Sequence, residues 1–89
     1  MTPEERELYR RFGSVLEALR ARQDADPGCW IEWPDLGICR MYEKARVAGL
    51  VEGHPARFDA WKLTDQGRAL LLAAREYADA RKARKEQVL

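Results

Sequence analysis

The sequence lacks any long hydrophobic run. Its longest apolar stretch covers residues 69–74, whereas a helix that spans a bilayer needs about 20 apolar residues. Charged side chains begin at Glu4, which does not fit the basic and then apolar pattern of a secretory signal peptide. We therefore expect a cytoplasmic protein that does not bind membranes.

Residues that bind metals or act as nucleophiles are also scarce. The chain has one histidine, His54, and two cysteines, Cys29 and Cys39. Their spacing matches no zinc-finger pattern, and a cytosolic location favours reduced thiols over a disulfide. Neither cysteine lies in a known nucleophile motif, and no glycine-rich phosphate loop is present. We predict no metal, no cofactor and no enzymatic activity.

Length and composition favour one small folded unit. A chain of 89 residues can form a single core, and 46% hydrophobic with 35% charged residues is a globular composition. We predict one domain over residues 1–85, followed by a C-terminal tail at 86–89.

The net charge of +1 conceals an asymmetry along the chain. Residues 1–35 contain five arginines and eight acidic residues, a net charge of −3, whereas residues 36–74 and 75–89 each carry +2. The central and final segments are therefore the candidates for contact with an anionic partner.

Three segments have the pattern of helices. Thr2, Pro3 and Glu5 form a capping box ahead of the first helix, which we expect to end near Gln23. Thr64 is the expected N-cap of the last helix, which should fray beyond Arg81. The predicted buried residues are Leu8, Phe12, Val15, Leu16 and Leu19 in the first helix, Ile38, Met41, Tyr42 and Ala45 in the middle helix, and Leu70, Leu71, Ala74, Tyr77 and Ala78 in the last.

The segments between these helices favour strands and turns. Residues 29–33 indicate a short strand, and Pro34 to Leu36 a short helix with Gly37 as its turn. Residues 50–52 and 58–63 flank a Gly/Pro loop and predict a β-hairpin. The resulting order is helix, short strand, short helix, helix, hairpin, helix. This is a mainly α fold with a small β-hairpin, in winged helix-turn-helix order.

Residues 37–72 resemble the winged helix-turn-helix of MarR- and PadR-type bacterial transcription regulators. One matching motif is residues 48–52 (AGLVE), where a helix ends at Gly49 and enters a strand. The other is residues 61–70 (WKLTDQGRAL), where a strand leads into a capped helix. The chain departs from the pattern at Ala45, where a large aliphatic residue is common, and in the shortened segment before residue 38. The resemblance implies a DNA-binding regulator from a bacterium or phage.

If residues 38–48 form the recognition helix, its outward or flanking residues are Cys39, Arg40, Glu43, Lys44, Arg46 and Val47. Arg40 is expected to contact the edge of a guanine, and Lys44 and Arg46 are expected to contact phosphates. The alternative is an ordinary solvated helix face, which the central Glu43 favours.

We expect Trp30, Trp33 and Trp61 to pack in the core or hairpin. His54 and Arg57 in the wing are further candidate DNA contacts, and a plain loop is the alternative there. Arg68 is a candidate contact to the DNA backbone, and a surface ion pair is the alternative for it.

Two functions remain open from the sequence. The first is a transcription regulator that binds double-stranded DNA as a homodimer, and the second is a protein-interaction module that acts as a small adaptor or inhibitor. Tyr9, Leu72 and Tyr77 are expected near the edges of the terminal helices, which predicts a homodimer formed by residues 5–20 and 68–85.

Overall fold

In the computed structural model, residues 1–27, 30–33 and 35–88 are described, with side chains up to Lys85. The fold is mainly helical with a three-stranded antiparallel sheet. The predictions made for Cys29 and Pro34 lie outside the described residues. The elements, in chain order, are α1 (Pro3–Ala25), β1 (Ile31–Glu32), α2 (Leu36–Val47), β2 (Val51–Gly53), β3 (Ala60–Leu63) and α3 (Asp65–Val88).

The first helix begins at the predicted capping box. The Thr2 hydroxyl accepts a hydrogen bond from the Glu5 N–H (3.1 Å), and the Glu5 carboxylate accepts one from the Thr2 N–H (2.8 Å). The bond from the Thr2 N–H, together with the nearby Thr2 hydroxyl, lowers the pKa of the Glu5 carboxylate. The helix continues two residues past the predicted end at Gln23, whose buried side-chain oxygen accepts the Leu63 N–H (2.9 Å). Gln23 therefore joins α1 to the sheet.

The predicted short helix before α2 is not observed. The Asp35 carboxylate accepts a hydrogen bond from the Ile38 N–H (2.9 Å) and so caps the helix at that point. Leu36 and Gly37, predicted to lie in a separate helix and turn, are the first residues of α2. The prediction of a separate short helix before α2 is therefore wrong, because the cap at Asp35 makes Leu36 the first residue of one continuous helix.

The turn from α2 into β2 follows the predicted glycine motif. Gly49 has φ +82°, in the left-handed region, and its N–H donates to the Arg46 carbonyl (2.9 Å). The Leu50 N–H donates to the Ala45 carbonyl (2.9 Å), which completes a Schellman motif. Leu50 is 1% exposed, so the turn sends the chain directly into the core.

The hairpin is confirmed, with β2 one residue later than predicted and β3 two residues shorter. Strands β2 and β3 pair antiparallel with Val51 opposite Leu63, and β1 adds to the other side of β3 with Ile31 opposite Trp61. The strand order is therefore β1-β3-β2. Phe58, predicted as a strand residue, lies in the turn before β3 and is exposed.

Tyr42 is central to the core. Its side chain is fully buried, and its hydroxyl donates to the Val15 carbonyl of α1 (2.8 Å). Its ring lies 5.7 Å from the rings of Trp33 and of Trp61. Burial raises the pKa of Tyr42 to about 12, so the phenol is neutral at physiological pH. The buried core also contains Phe12, Leu16, Leu19, Ile31, Cys39, Ala45, Leu50, Val51, Leu63, Leu70 and Leu71.

The last helix begins at the predicted cap and ends later than predicted. Leu70, Leu71 and Ala74 are buried as expected, but Ala78 is exposed, which contradicts its predicted burial. The helix does not fray beyond Arg81 and reaches Val88. Residues 78–85 are mostly alanine, arginine and lysine, which favour helix, and all of them are exposed, so this segment is helical without a buried face.

Replacing Thr64 by alanine should lower the free energy of unfolding by about 1–2 kcal/mol. The Thr64 hydroxyl accepts the Gly67 N–H (3.0 Å) and donates to the Gly49 carbonyl (2.6 Å), so one substitution removes two hydrogen bonds. Urea unfolding measures the loss, and Thr64→Ser, which keeps the hydroxyl, is the control. Equal urea midpoints for Thr64→Ala and wild type would show that Thr64 does not cap α3.

Candidate functional site

Helix α2 presents a continuous exposed face beside the hairpin. We call this surface the outer face of α2, and it consists of Leu36, Gly37, Arg40, Glu43, Lys44, Arg46 and Val47. The helical period correctly predicted that residues 40, 43, 44, 46 and 47 point outward. It was wrong for Cys39, which is 7% exposed and whose thiol donates to the Trp33 carbonyl (2.9 Å). The contact with Trp33 draws residue 39 inward.

Some charged residues on this face form an ion pair and others do not. The Arg46 guanidinium binds the Glu43 carboxylate, with Nε 3.0 Å from both oxygens, and this pair lowers the pKa of Glu43. Glu43 is therefore compensated by its neighbour. Within the described side chains, Arg40 and Lys44 form no ion pair, and their four-residue spacing puts both on one side of the helix. The outer face of α2 thus carries uncompensated positive charge.

The hairpin supports this helix from one side. A methyl group on Gly53 of β2 would lie 3.4 Å from Cδ of Arg46, so the two elements are in close contact there. The His54 ring accepts the Ala56 N–H at Nδ1 (3.0 Å) and lies edge-on to Trp30, with centroids 4.9 Å apart. His54 therefore shapes the hairpin loop and is half-buried. The predicted packing role of the tryptophans is confirmed for Trp61, which is buried.

Two other predicted contacts are held in ion pairs. Arg57 binds the Glu32 carboxylate of β1 and lies 3.4 Å from that of Asp59. Arg68 lies 3.4 Å from the Asp24 carboxylate, at the contact between α3 and α1. The structure therefore brings four of the candidate DNA-contact residues together on α2 and two on the hairpin. It places the seventh, Arg68, against α1.

Of the exposed hydrophobic side chains beside the charged residues, Val47 was predicted to face outward, but the exposure of Leu36 and Phe58 was not identified from the sequence. Leu36 is 64% exposed, Phe58 73% and Val47 78%. Leu36 and Phe58 line a shallow cleft of about 270 Å³ that also includes Arg40 and Trp61. A large apolar residue next to the Gly/Pro loop was a usable signal for Phe58, but assigning it to a strand concealed its exposure. The outer face of α2 is therefore mixed, with apolar ends and a basic centre.

The described residues contain no group of three or more His, Cys, Asp or Glu side chains arranged to hold a metal ion. None of the helices, as far as they are described, is both long and apolar enough to cross a bilayer. The chain matches no family model, no curated protein and no solved structure.

Proposed function

We propose that this protein is a cytoplasmic transcription regulator of the winged-helix type that binds double-stranded DNA through the outer face of α2. The observation that carries the proposal is the pair Arg40 and Lys44, exposed on one side of a helix and without carboxylate partners among the described side chains. The order of the elements supports it, because a helix followed by an antiparallel hairpin is the arrangement that places a recognition helix beside a wing.

Each residue of the interface has a distinct role. Arg40 can donate two hydrogen bonds to the edge of a guanine, and Lys44 binds phosphate as a point charge. Arg46, oriented by Glu43, contacts an adjacent phosphate. Of the two hairpin-loop residues, His54 remains a candidate contact, whereas Arg57 is left out of the interface because it pairs with Glu32 and Asp59. Arg68 is left out of the interface, because it pairs with Asp24 beside α1.

The recognition helix in this proposal is held by α1. A helix-turn-helix normally supports the second helix with the first, but here β1 precedes α2. The hydrogen bond from the Tyr42 hydroxyl to the Val15 carbonyl fixes α2 to α1. The turn at Leu50 fixes the C-terminal end of α2. A rigid support of this kind is what a base-reading helix requires.

A gel shift with mixed-sequence duplex DNA at low and moderate salt tests the proposal. Phosphate contacts release counterions, so retardation at 50 mM NaCl should weaken steeply at 200 mM. Absence of retardation at both salt concentrations would contradict DNA binding.

A homodimer completes this function, because one short helix reads too few bases for specificity. The terminal helices leave Tyr9 and Tyr77 half-buried and Leu72 exposed. We expect light scattering at tens of micromolar to give twice the chain mass of 10.3 kDa. A mass of one chain that does not change with concentration would contradict dimerisation.

A protein-interaction module is the second candidate, favoured by the exposed Leu36, Val47 and Phe58. Three of the four large hydrophobic side chains exposed in the described part of the chain lie on α2 or beside it. In a pull-down from the native cell, an adaptor would retain one specific protein. The double variant Leu36→Ser and Phe58→Ser would no longer retain that protein, whereas Arg40→Ala would still retain it. For DNA binding, the opposite pattern is expected.

A further inference from the structure

The contact between α1 and α3 contains a cluster of arginines separate from the outer face of α2. Arg20 of α1 and Arg68 and Arg75 of α3 line a cleft of about 90 Å³, together with Leu71 and Leu72. Three guanidinium groups from two helices around so small a cleft repel one another unless anionic groups compensate them.

The carboxylates nearby compensate these charges incompletely. The Arg20 guanidinium donates to Glu17 (2.5 Å), and Arg68 lies 3.4 Å from Asp24. A charge-assisted bond is normally about 2.7–2.9 Å long, so the Arg68 pair is loose. Arg75 is in no ion pair among the described side chains. Three cations face two carboxylates, which leaves the cleft positively charged.

One of the arginines also has a buried donor without an acceptor. The Arg20 Nε–H is buried and meets no hydrogen-bond acceptor among the described residues. An unpaired buried donor on a charged group is costly, and it leaves the Arg20 guanidinium with fewer acceptors than its donors can use. Guanidinium groups present parallel N–H donors that match the oxygens of a carboxylate or a phosphate.

We propose that this cleft binds one oxyanion group, a carboxylate or a phosphate. A volume of about 90 Å³ is well below the 300–1,000 Å³ of sites for whole drug-sized ligands. The cleft therefore takes a single anionic group. A second copy of the chain is a poor occupant, because a two-fold contact centred on the cleft would bring the same arginines face to face. The site is separate from the outer face of α2, but its residues lie in the segments expected to form the homodimer, so a dimer has to pair these helices away from the cleft.

Titrations with sodium phosphate and sodium acetate, at constant ionic strength and followed by ¹⁵N NMR, test the site. The Nε–H signal of Arg20 and the amide signals of Leu71 and Leu72 should shift and saturate with a common midpoint. Saturation with phosphate alone, with acetate alone or with both identifies which oxyanion is bound. Arg75→Gln should raise the midpoint about tenfold, the loss expected for one hydrogen bond to a charged group.

Arg84→Gln is the matched control, since it removes the same charge from an exposed position of the same helix. It should leave the midpoint unchanged. Shifts that rise linearly with either salt, at equal slope for Arg20 and Arg84 in the wild type, would show only weak, non-specific association of anions with exposed arginines. That result, or equal midpoints for Arg75→Gln and Arg84→Gln, would overturn the proposal.

Discussion

Replacing Gly67 by alanine is expected to lower the free energy of unfolding by about 3 kcal/mol or to prevent folding. A methyl group at this position would lie 2.1 Å from the Leu50 carbonyl oxygen, far inside van der Waals contact. Neither backbone can move away easily. Leu50 is held by its N–H bond to Ala45, and the same Leu50 carbonyl accepts the Thr64 N–H (3.2 Å).

Urea unfolding measures this effect, and Gly37→Ala is its control. Gly37 also lies in the first turn of a helix, but a methyl group there meets the Asp35 side-chain oxygen at 3.2 Å. A flexible side chain can adjust where a buried carbonyl cannot, so the control should stay within about 1 kcal/mol of wild type. A Gly67→Ala protein as stable as wild type would show that α3 and the Leu50 turn are not in this close contact.

Replacing Arg40 and Lys44 together by alanine is expected to weaken binding to duplex DNA on the order of 100-fold at low salt, without a change in Tm. The loss combines a base contact of about 1–3 kcal/mol with a phosphate contact. The melting temperature should not change, because both side chains are exposed and form no ion pair within the described part of the chain.

Fluorescence anisotropy with a labelled duplex measures this effect. The matched variant carries Arg6→Ala and Arg10→Ala, which remove the same net charge from exposed positions of α1, and light scattering checks that its oligomeric state is that of wild type. It should bind DNA with an affinity close to that of wild type. Equal weakening by both double variants would indicate a general effect of net charge and would exclude a specific interface on α2.

The parts of the fold that the sequence predicted depend on short-range signals. The capping box at Thr2, the left-handed turn at Gly49 and the cap at Thr64 each involve residues within a few positions of one another. Helical spacing likewise placed Arg40 and Lys44 at the surface. Steric and hydrogen-bonding preferences of neighbouring residues are sufficient to fix such features.

The burial of Cys39, which was predicted wrongly, and the pairing of Arg57 and Arg68, which the sequence left open, depend on contacts outside the pattern of a single helix or strand. Cys39 is buried because its thiol reaches Trp33, which periodicity along one helix does not report. Arg57 pairs with Glu32, 25 residues away, and Arg68 with Asp24, 44 residues away. A sequence pattern shows that these arginines are charged, whereas the tertiary fold decides whether a carboxylate lies beside them.

The salt dependence of DNA binding tests the proposed function most directly. Binding of the wild-type protein to a labelled duplex of about 20 base pairs can be measured between 50 and 200 mM NaCl. If Lys44 and Arg46 contact phosphates, the plot of log Kd against log salt should be linear with a slope of at least about 2. No binding at 50 mM NaCl, or a Kd that does not change with salt, would contradict DNA recognition through α2.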